Sequence, residues 1–184
     1  RAHFVSISAP SGKVETFDLQ LTPSISFLVP FSTLQATFVP RPGTVGKLQT
    51  LDNVNILIAD PQPGPITLID DVTLNTFDPD KFLYTQLDGS QFVVSRTKGV
   101  QSVKDNNGNQ ITITPGGITH TSGASVVFER DGSGRITGIT DPKGQTRAYA
   151  YSLAGDLASY TVGAGSTPRF FYNGQPGLVP IHAP

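Results

Sequence analysis

Three histidines, two glutamates and a scatter of loop aspartates are the residues from which any catalysis by this 184-residue chain would have to be built. The histidines are His3, His120 and His182, and no two have the spacing of metal ligands. A histidine that lacks a partner carboxylate or a second ligand is a turn or surface residue first. Glu15 and Glu129 are the only glutamates, far apart in the chain, and glycoside cleavage needs two carboxylates facing each other across a cleft. Glu129 sits next to Phe128 in a strand-like run, so it is expected to face solvent or to pair with Arg147 or Arg130. The run Asp105-Asn106-Asn107-Gly108-Asn109 is rich in oxygen ligands, but its glycine comes fourth and position 116 is glycine where a calcium loop needs an acid. A hairpin turn accounts for it, and also for Asp131-Gly132-Ser133-Gly134. Asp70-Asp71 and the pair Asp78 and Asp80 read as solvated loop charges. No strand-elbow serine, phosphate loop or dinucleotide fingerprint occurs. With no cysteine there is no thiolate metal site, no cysteine nucleophile and no disulfide. The reading is a protein with no catalytic residues, no metal and no cofactor, and not an enzyme.

Composition limits the partners as well. Only 15% of residues are charged and the net charge is −1, which leaves no basic footprint for nucleic acid. The apolar runs are too short for a membrane-spanning helix. Cysteine and methionine are both absent, so neither thiol nor thioether oxidation has a target, which suits a secreted, extracellular or cell-surface protein. The chain opens at Arg1, consistent with a removed leader or a longer parent chain.

The elements that must position these residues are strands. Apolar residues recur at every second position, as in Val14, Phe17, Leu19 and Leu21, or Ile25, Phe27, Val29 and Phe31. Clusters of proline and glycine, such as 40–43 and 60–65, separate the runs, and the pattern predicts short β-strands throughout. The best helical candidate, residues 152–158, contains Gly155 in a repeat context that argues against a helix. Composition changes near residue 80, which places a boundary at 77–81. Residues 1–80 are then an N-terminal, sandwich-like β-domain and 81–184 a region of hairpins. Asp88-Gly89 and Asn107-Gly108 suit type I′ turns between such strands.

An internal repeat organises the second region. Phe128 and Tyr149, Gly134 and Gly155, Ile136 and Leu157, Ile139 and Tyr160, and Thr140 and Thr161 are all separated by the same interval in the numbering. A further step maps Tyr149 to Phe170 and Tyr151 to Tyr172. The spacing of Ile136 and Ile139 is not strict alternation, so a bulge or a twist is expected inside the strand of each unit. Aromatics at matched positions should form a ladder on one face. Each unit is a hairpin that cannot bury its face alone, so units should add edge to edge into a twisted, growing antiparallel sheet.

The run from Arg130 to Tyr151 contains Gly134-Arg135-Ile136, Thr140-Asp141-Pro142-Lys143-Gly144 and Tyr149-Ala150-Tyr151. It resembles the YD repeat of Rhs proteins, teneurins and the shell subunits of insecticidal toxin complexes. The resemblance covers about residues 128–172, with a degenerate unit at 103–109. Arg130 stands where the pattern has tyrosine, Ser152 where it has aspartate and Asp156 where it has arginine. The resemblance implies a spiralling sheet that winds into a hollow shell, enclosing a toxic polypeptide or presenting an adhesive surface. On this reading the chain is a structural segment of a longer shell or a self-assembling filament subunit, a homo-oligomer joined through its open edges. The strand at Phe4, Val5 and Ile7 is a candidate donor for that assembly. The alternative is an adhesion module in which Tyr149, Tyr151, Phe170 and Tyr172 form an aromatic platform for glycans or a receptor.

Overall fold

A computed structural model describes residues 3–24, 33–59 and 66–162. The expected strand at 25–31, the loop 60–65, His182 and the aromatic residues 170–172 lie outside the described residues. Everything regular within them is β-strand, and every described pairing is antiparallel. Contacts divide the chain into two compact units, residues 1–110 and 111–184.

The first unit holds β1 (Phe4–Ser8), β2 (Val14–Ser24), β3 (Thr33–Pro40), β4 (Lys47–Thr50), β5 (Asn55–Ala59), β6 (Thr67–Asp70), β7 (Lys81–Thr85), β8 (Gln91–Ser95) and β9 (Gly99–Lys104). These strands form one sheet that forks. One edge of β3 takes β2 along its whole length. The other edge is shared: Phe38 pairs with Leu48 of β4, while Leu34 and Gln35 pair with Ile56 and Asn55 of β5. One branch continues through β7, β8 and β9, and the other ends with β6. The core of the unit lies along the branch that runs from β1 through β4 and β7 to β8. That core consists of Ala9, Phe17, Leu48, Phe82 and Tyr84, with Val5, Ile7, Phe38 and Phe92 packed against it. The rings of Phe38 and Phe82 meet edge to face at 5.5 Å. Composition changes near residue 80, yet Phe82 and Tyr84 share a core with Phe17.

The second unit is simpler. It holds β10 (Gln110–Thr114), β11 (Gly117–His120), β12 (Ser125–Arg130), β13 (Ile136–Thr140), β14 (Thr146–Tyr151) and β15 (Leu157–Val162), each paired with the next. Alternation sorts the side chains onto two faces. Ile113, Ile118 and Val126 lie side by side on one, followed on the same face by Phe128, Ile139 and Arg147 and by Tyr149 and Tyr160. Thr112, Thr119 and Ser125, then Val127, Thr140 and Thr146, occupy the other. Among the described residues every fully buried hydrophobic side chain belongs to the first unit. The apolar face of the second unit is therefore only half covered.

The hairpin turns share one geometry. In the turns beginning at Ala9, Gln86, Asp105, His120, Asp131, Asp141 and Ser152, the fourth residue donates its N–H to the carbonyl of the first. The N–H of the first donates to the carbonyl of the fifth. The fourth residue is always glycine, with φ between +79° and +93°. This is a type I turn closed by a left-handed glycine, not the type I′ turn expected at Asp88-Gly89 and Asn107-Gly108. A type I′ turn would put Asp88 and Asn107 at positive φ, but among the described non-glycine residues only Leu74 has one. Confining the left-handed conformation to the residue without a Cβ avoids that strain.

Candidate functional site

The repeat is physical, and four features of it recur at the interval read from the sequence. The turn at Asp131 reappears at Ser152 and the turn at His120 reappears at Asp141. The register slips between Glu129 and Arg130, and again between Ala150 and Tyr151, leaving Thr137 and Ala158 as the extra residues of two equivalent bulges. Phe128 opposite Ile139 corresponds to Tyr149 opposite Tyr160. The fourth feature is a long-range hydrogen bond. The Tyr151 hydroxyl donates to the Ile136 carbonyl at 2.7 Å, and Arg130 Nε donates to the Pro115 carbonyl at 2.8 Å. Donor and acceptor are 15 residues apart in both. Arg130 therefore does in its unit what a tyrosine hydroxyl does in the next, which explains how arginine can stand at a tyrosine position.

Aspartate at the head of a turn has a comparable reason. Asp131 Oδ1 accepts the N–H groups of Ser133 and Arg135, and Asp141 Oδ1 those of Lys143 and Gln145. Asp105 accepts from Asn107 and Asn109 in the same way, and Asn109 also gives its side-chain amide to Oδ2 at 2.8 Å. That amide first, with the backbone donors behind it, holds the Asp105 carboxyl below the usual range. At Asp131 burial works to raise the carboxyl, but the bonds from Arg135 and Ser133 outweigh it and the net shift is downward. His120 substitutes for aspartate, its Nδ1 accepting the Ser122 N–H at 3.1 Å. These carboxylates are spent on local backbone donors, and the turn reading of 105–109 and 131–134 accounts for them.

The remaining loop acids are not merely solvated, as the sequence suggested. Asp70 accepts from the N–H groups of Val72 and Thr73, and the Thr73 bond leads in lowering its carboxyl. Asp71 takes the Asn53 amide at 2.6 Å. Asp78 forms a two-pronged ion pair with Arg96, which holds its carboxyl down. Asp80 binds the Ser95 hydroxyl at 2.7 Å together with the N–H and hydroxyl of Thr97. Such side-chain closures of irregular backbone are the usual work of loop aspartates. Glu129 is exposed and its carboxylate folds over Gly138. Arg130 instead serves the Pro115 and Gly134 carbonyls.

Of the residues singled out for assembly or binding, two groups can be placed. Tyr149 stacks on Tyr160 across β14 and β15, with centroids 6.3 Å apart and planes 25° from parallel. Tyr151 lies under the Arg135 guanidinium at 4.6 Å, and Arg135 in turn pairs with Asp131. Phe170 and Tyr172 fall outside the described residues. In the first unit Phe4 is half exposed beneath the Arg41 guanidinium, 4.7 Å from its ring centre, and Arg41 is forked onto Asp18. Val5 and Ile7 turn inward against the core. All three line a cavity of about 530 Å3, together with residues 66–68 and 76–79.

For Glu15, weighed in the sequence only against glycoside chemistry, the structure supplies a structural role. Glu15 is 2% exposed, and its carboxylate accepts the Gly46 N–H and the Tyr84 hydroxyl, each at 3.0 Å. Burial first, then the bond to Glu15, pushes the Tyr84 phenol up to about 12. None of the ion pairs among the described residues includes Glu15. A catalytic carboxylate needs a path to substrate, and this one is enclosed; it ties β2 to the loop before β4 and to β7. The signal was the odd placement of glutamate directly after Val14 and shortly before Phe17, but its partners are 31 and 69 residues away.

Among the described residues no group of three potential ligands is placed to hold a metal ion, and no helix is long and apolar enough to cross a membrane. Residues 130–167 match the family model of the RHS Repeat. That segment falls within the stretch on which the YD resemblance rests. A search of curated proteins finds no match to the chain.

Proposed function

We propose that this chain is a non-enzymatic segment of an RHS-type β-scaffold that works outside the cell or at its surface, as part of the wall of a larger shell. The observation that carries this reading is the recurrence, one repeat length apart, of turn, bulge, facing pair and long-range donor together. A unit repeated at that level of detail extends a sheet by addition, and stability then grows with neighbour contacts. The half-covered apolar face of β10–β15 supports it as well, since a wall has an inner face that something else must cover. A filament built by edge-to-edge addition of separate chains is the competing form of the same idea. Light scattering between about 1 and 100 µM, with hydrogen exchange on β15, separates them. A wall segment stays monomeric on dilution, while a filament subunit loses mass and gains exchange at its terminal strands. Turnover of a glycan or peptide substrate abolished by Glu129→Gln would overturn the non-enzymatic reading.

A second reading, glycan binding, is favoured by the stacked and half-exposed Tyr149 and Tyr160. It predicts glycan-array binding that disappears in Tyr149→Ala.

A further inference from the structure

The strand β1 lies at one end of the strand order in the first unit, paired only with β2. The Leu19 N–H donates to the His3 carbonyl, so His3, Val5 and Ile7 direct their backbone groups at β2. By alternation the N–H and C=O groups of Phe4, Ser6 and Ser8 point away from β2, along an edge that no described strand occupies. Natural edges are blunted by lysine, proline, a bulge or an inward charge. The sequence Phe-Val-Ser-Ile-Ser has no lysine, proline or charge, and its pairing with β2 is unbroken by any bulge. The cavity of about 530 Å3 lies beside this edge and touches the consecutive residues 3–7. Contact with consecutive residues brings the cavity to the backbone edge of β1, while Leu19 of β2 and Phe38 of β3 line it from the face that Val5 and Ile7 share. Across the gap stand Ile66, Leu68 and Phe77, with Phe38, Phe82 and Val94 among the other lining residues. The size is that of a preformed ligand site.

We propose that this cavity takes up an extended, uncharged segment of a partner polypeptide, which pairs with β1 as an added strand and drops alternate apolar side chains between Val5 and Ile7 on one side and Leu68 and Phe77 on the other. Main-chain hydrogen bonds supply affinity in this mode, and pockets for every second side chain supply specificity. The charge balance selects the occupant. Arg96 and Asp78, the arginine and aspartate that line the cavity, are forked onto each other, so their charges are already matched within the unit. A charged side chain inserted here would lose water and would have to compete for an arginine and an aspartate that are already paired. A second folded copy of the chain does not suit the site, because its own β1 is flanked by the same opposing segment; a strand with both edges free does. This inference rests on the first unit alone and stands apart from the RHS reading of the second.

The probe is a fluorescein-labelled Thr-Val-Thr-Val-Thr peptide with a blocked C-terminus, titrated with the whole protein and followed by anisotropy. Saturable binding is expected, weakened at least tenfold when the central peptide nitrogens are methylated or when lysine replaces valine. Ser6→Pro, which removes an outward N–H and, of the bonds to β2, only the exposed hydroxyl contact with Thr16, and Ile66→Asp, at an exposed position on the cavity rim, should each weaken binding at least tenfold while the melting temperature stays within a few degrees. Absence of saturable binding to the native chain overturns the proposal, as does full affinity for the methylated peptide, which would mark a site for apolar groups without strand pairing. A dimer abolished by Ser6→Pro, with no peptide bound, would assign the edge to a second copy and also overturn it.

Discussion

Removing the Glu15 carboxylate tests how the first unit is held together. Glu15→Ala leaves the Gly46 N–H and the Tyr84 hydroxyl without their acceptor in a site where Gly46, Tyr84 and Glu15 are all buried. An unsatisfied buried donor costs about 1–3 kcal/mol, so two cost about 3 kcal/mol once relief of the buried charge is set against them. For a unit of this size that is a fall of about 10–20 °C in melting temperature. Tyr84→Phe removes one hydroxyl bond to a carboxylate and should cost about 1.5 kcal/mol. The double variant should cost less than the sum, with a coupling of about 1–2 kcal/mol, because the two groups touch. The chain has no tryptophan, so urea unfolding followed by tyrosine fluorescence and circular dichroism is the assay. Stability of Glu15→Ala within about 0.5 kcal/mol of the native protein, or a coupling near zero, would refute the reasoning.

Acid should weaken the loops and turns. The carboxyls of Asp18, Asp70, Asp78, Asp80, Asp105 and Asp131 are all held below their ordinary value of 3.8 in the folded chain. Their contribution is complete above that value and is lost as pH falls through the lower folded values. The melting temperature should therefore be flat from pH 7 to about 5 and drop below about pH 4, and a drop beginning near pH 6 would point to histidine instead. Gly117 has φ +148° and no room for a Cβ, which would strike the Val126 carbonyl, whereas Gly116 has no neighbour nearer than Thr114 Oγ1 at 3.8 Å. Gly117→Ala should cost about 3 kcal/mol or more through backbone strain and displacement of β12, and Gly116→Ala well under 1, read by chemical denaturation. Arg130→Ala should lose about 1 kcal/mol and speed amide exchange at Pro115-adjacent Gly116, while Arg130→Tyr, able to reach the same carbonyl, should recover most of it.

Much of the second unit could be read from residue order, and less of the first. Period-two alternation, glycine at fixed offsets and the repeat interval predict hairpins, and the uneven step between Ile136 and Ile139 predicts a bulge or a twist, of which Thr137 forms the bulge. All of these are local relations, in which the deciding residues are within one turn of each other. What stayed hidden depends on distant partners. Nothing near Leu34 or Phe38 announces that one edge of β3 serves both β4 and β5. The likeness of Arg130 to Tyr151 shows only when each donor is traced to a carbonyl 15 residues back. His120 was weighed as a lone histidine, and its turn is the equivalent of the one at Asp141, with imidazole nitrogen in place of carboxylate oxygen. The loop acids read as free charge because their donors are backbone N–H groups, which no residue letter displays, or side chains 15–18 residues away, such as Asn53 for Asp71, Arg96 for Asp78 and Ser95 for Asp80. The aromatic and β1 residues chosen as surfaces fall in separate units, three beside a cavity and Tyr149 and Tyr151 on the repeat sheet.

The chain contains no cysteine, so introduced pairs report register without interference. Glu129 faces Gly138 and, in the next repeat, Ala150 faces Ser159. Cysteines at both members of either pair should oxidise fully to a disulfide within one chain, since directly opposed strand residues lie inside the Cα separation that a disulfide spans. Cysteines at Ala150 and Thr161, which are out of register, should stay reduced. Equal oxidation of the offset pair, or no oxidation at 129 with 138 and at 150 with 159, would mean that the hairpins β12–β13 and β14–β15 are not copies of one unit paired in equivalent register.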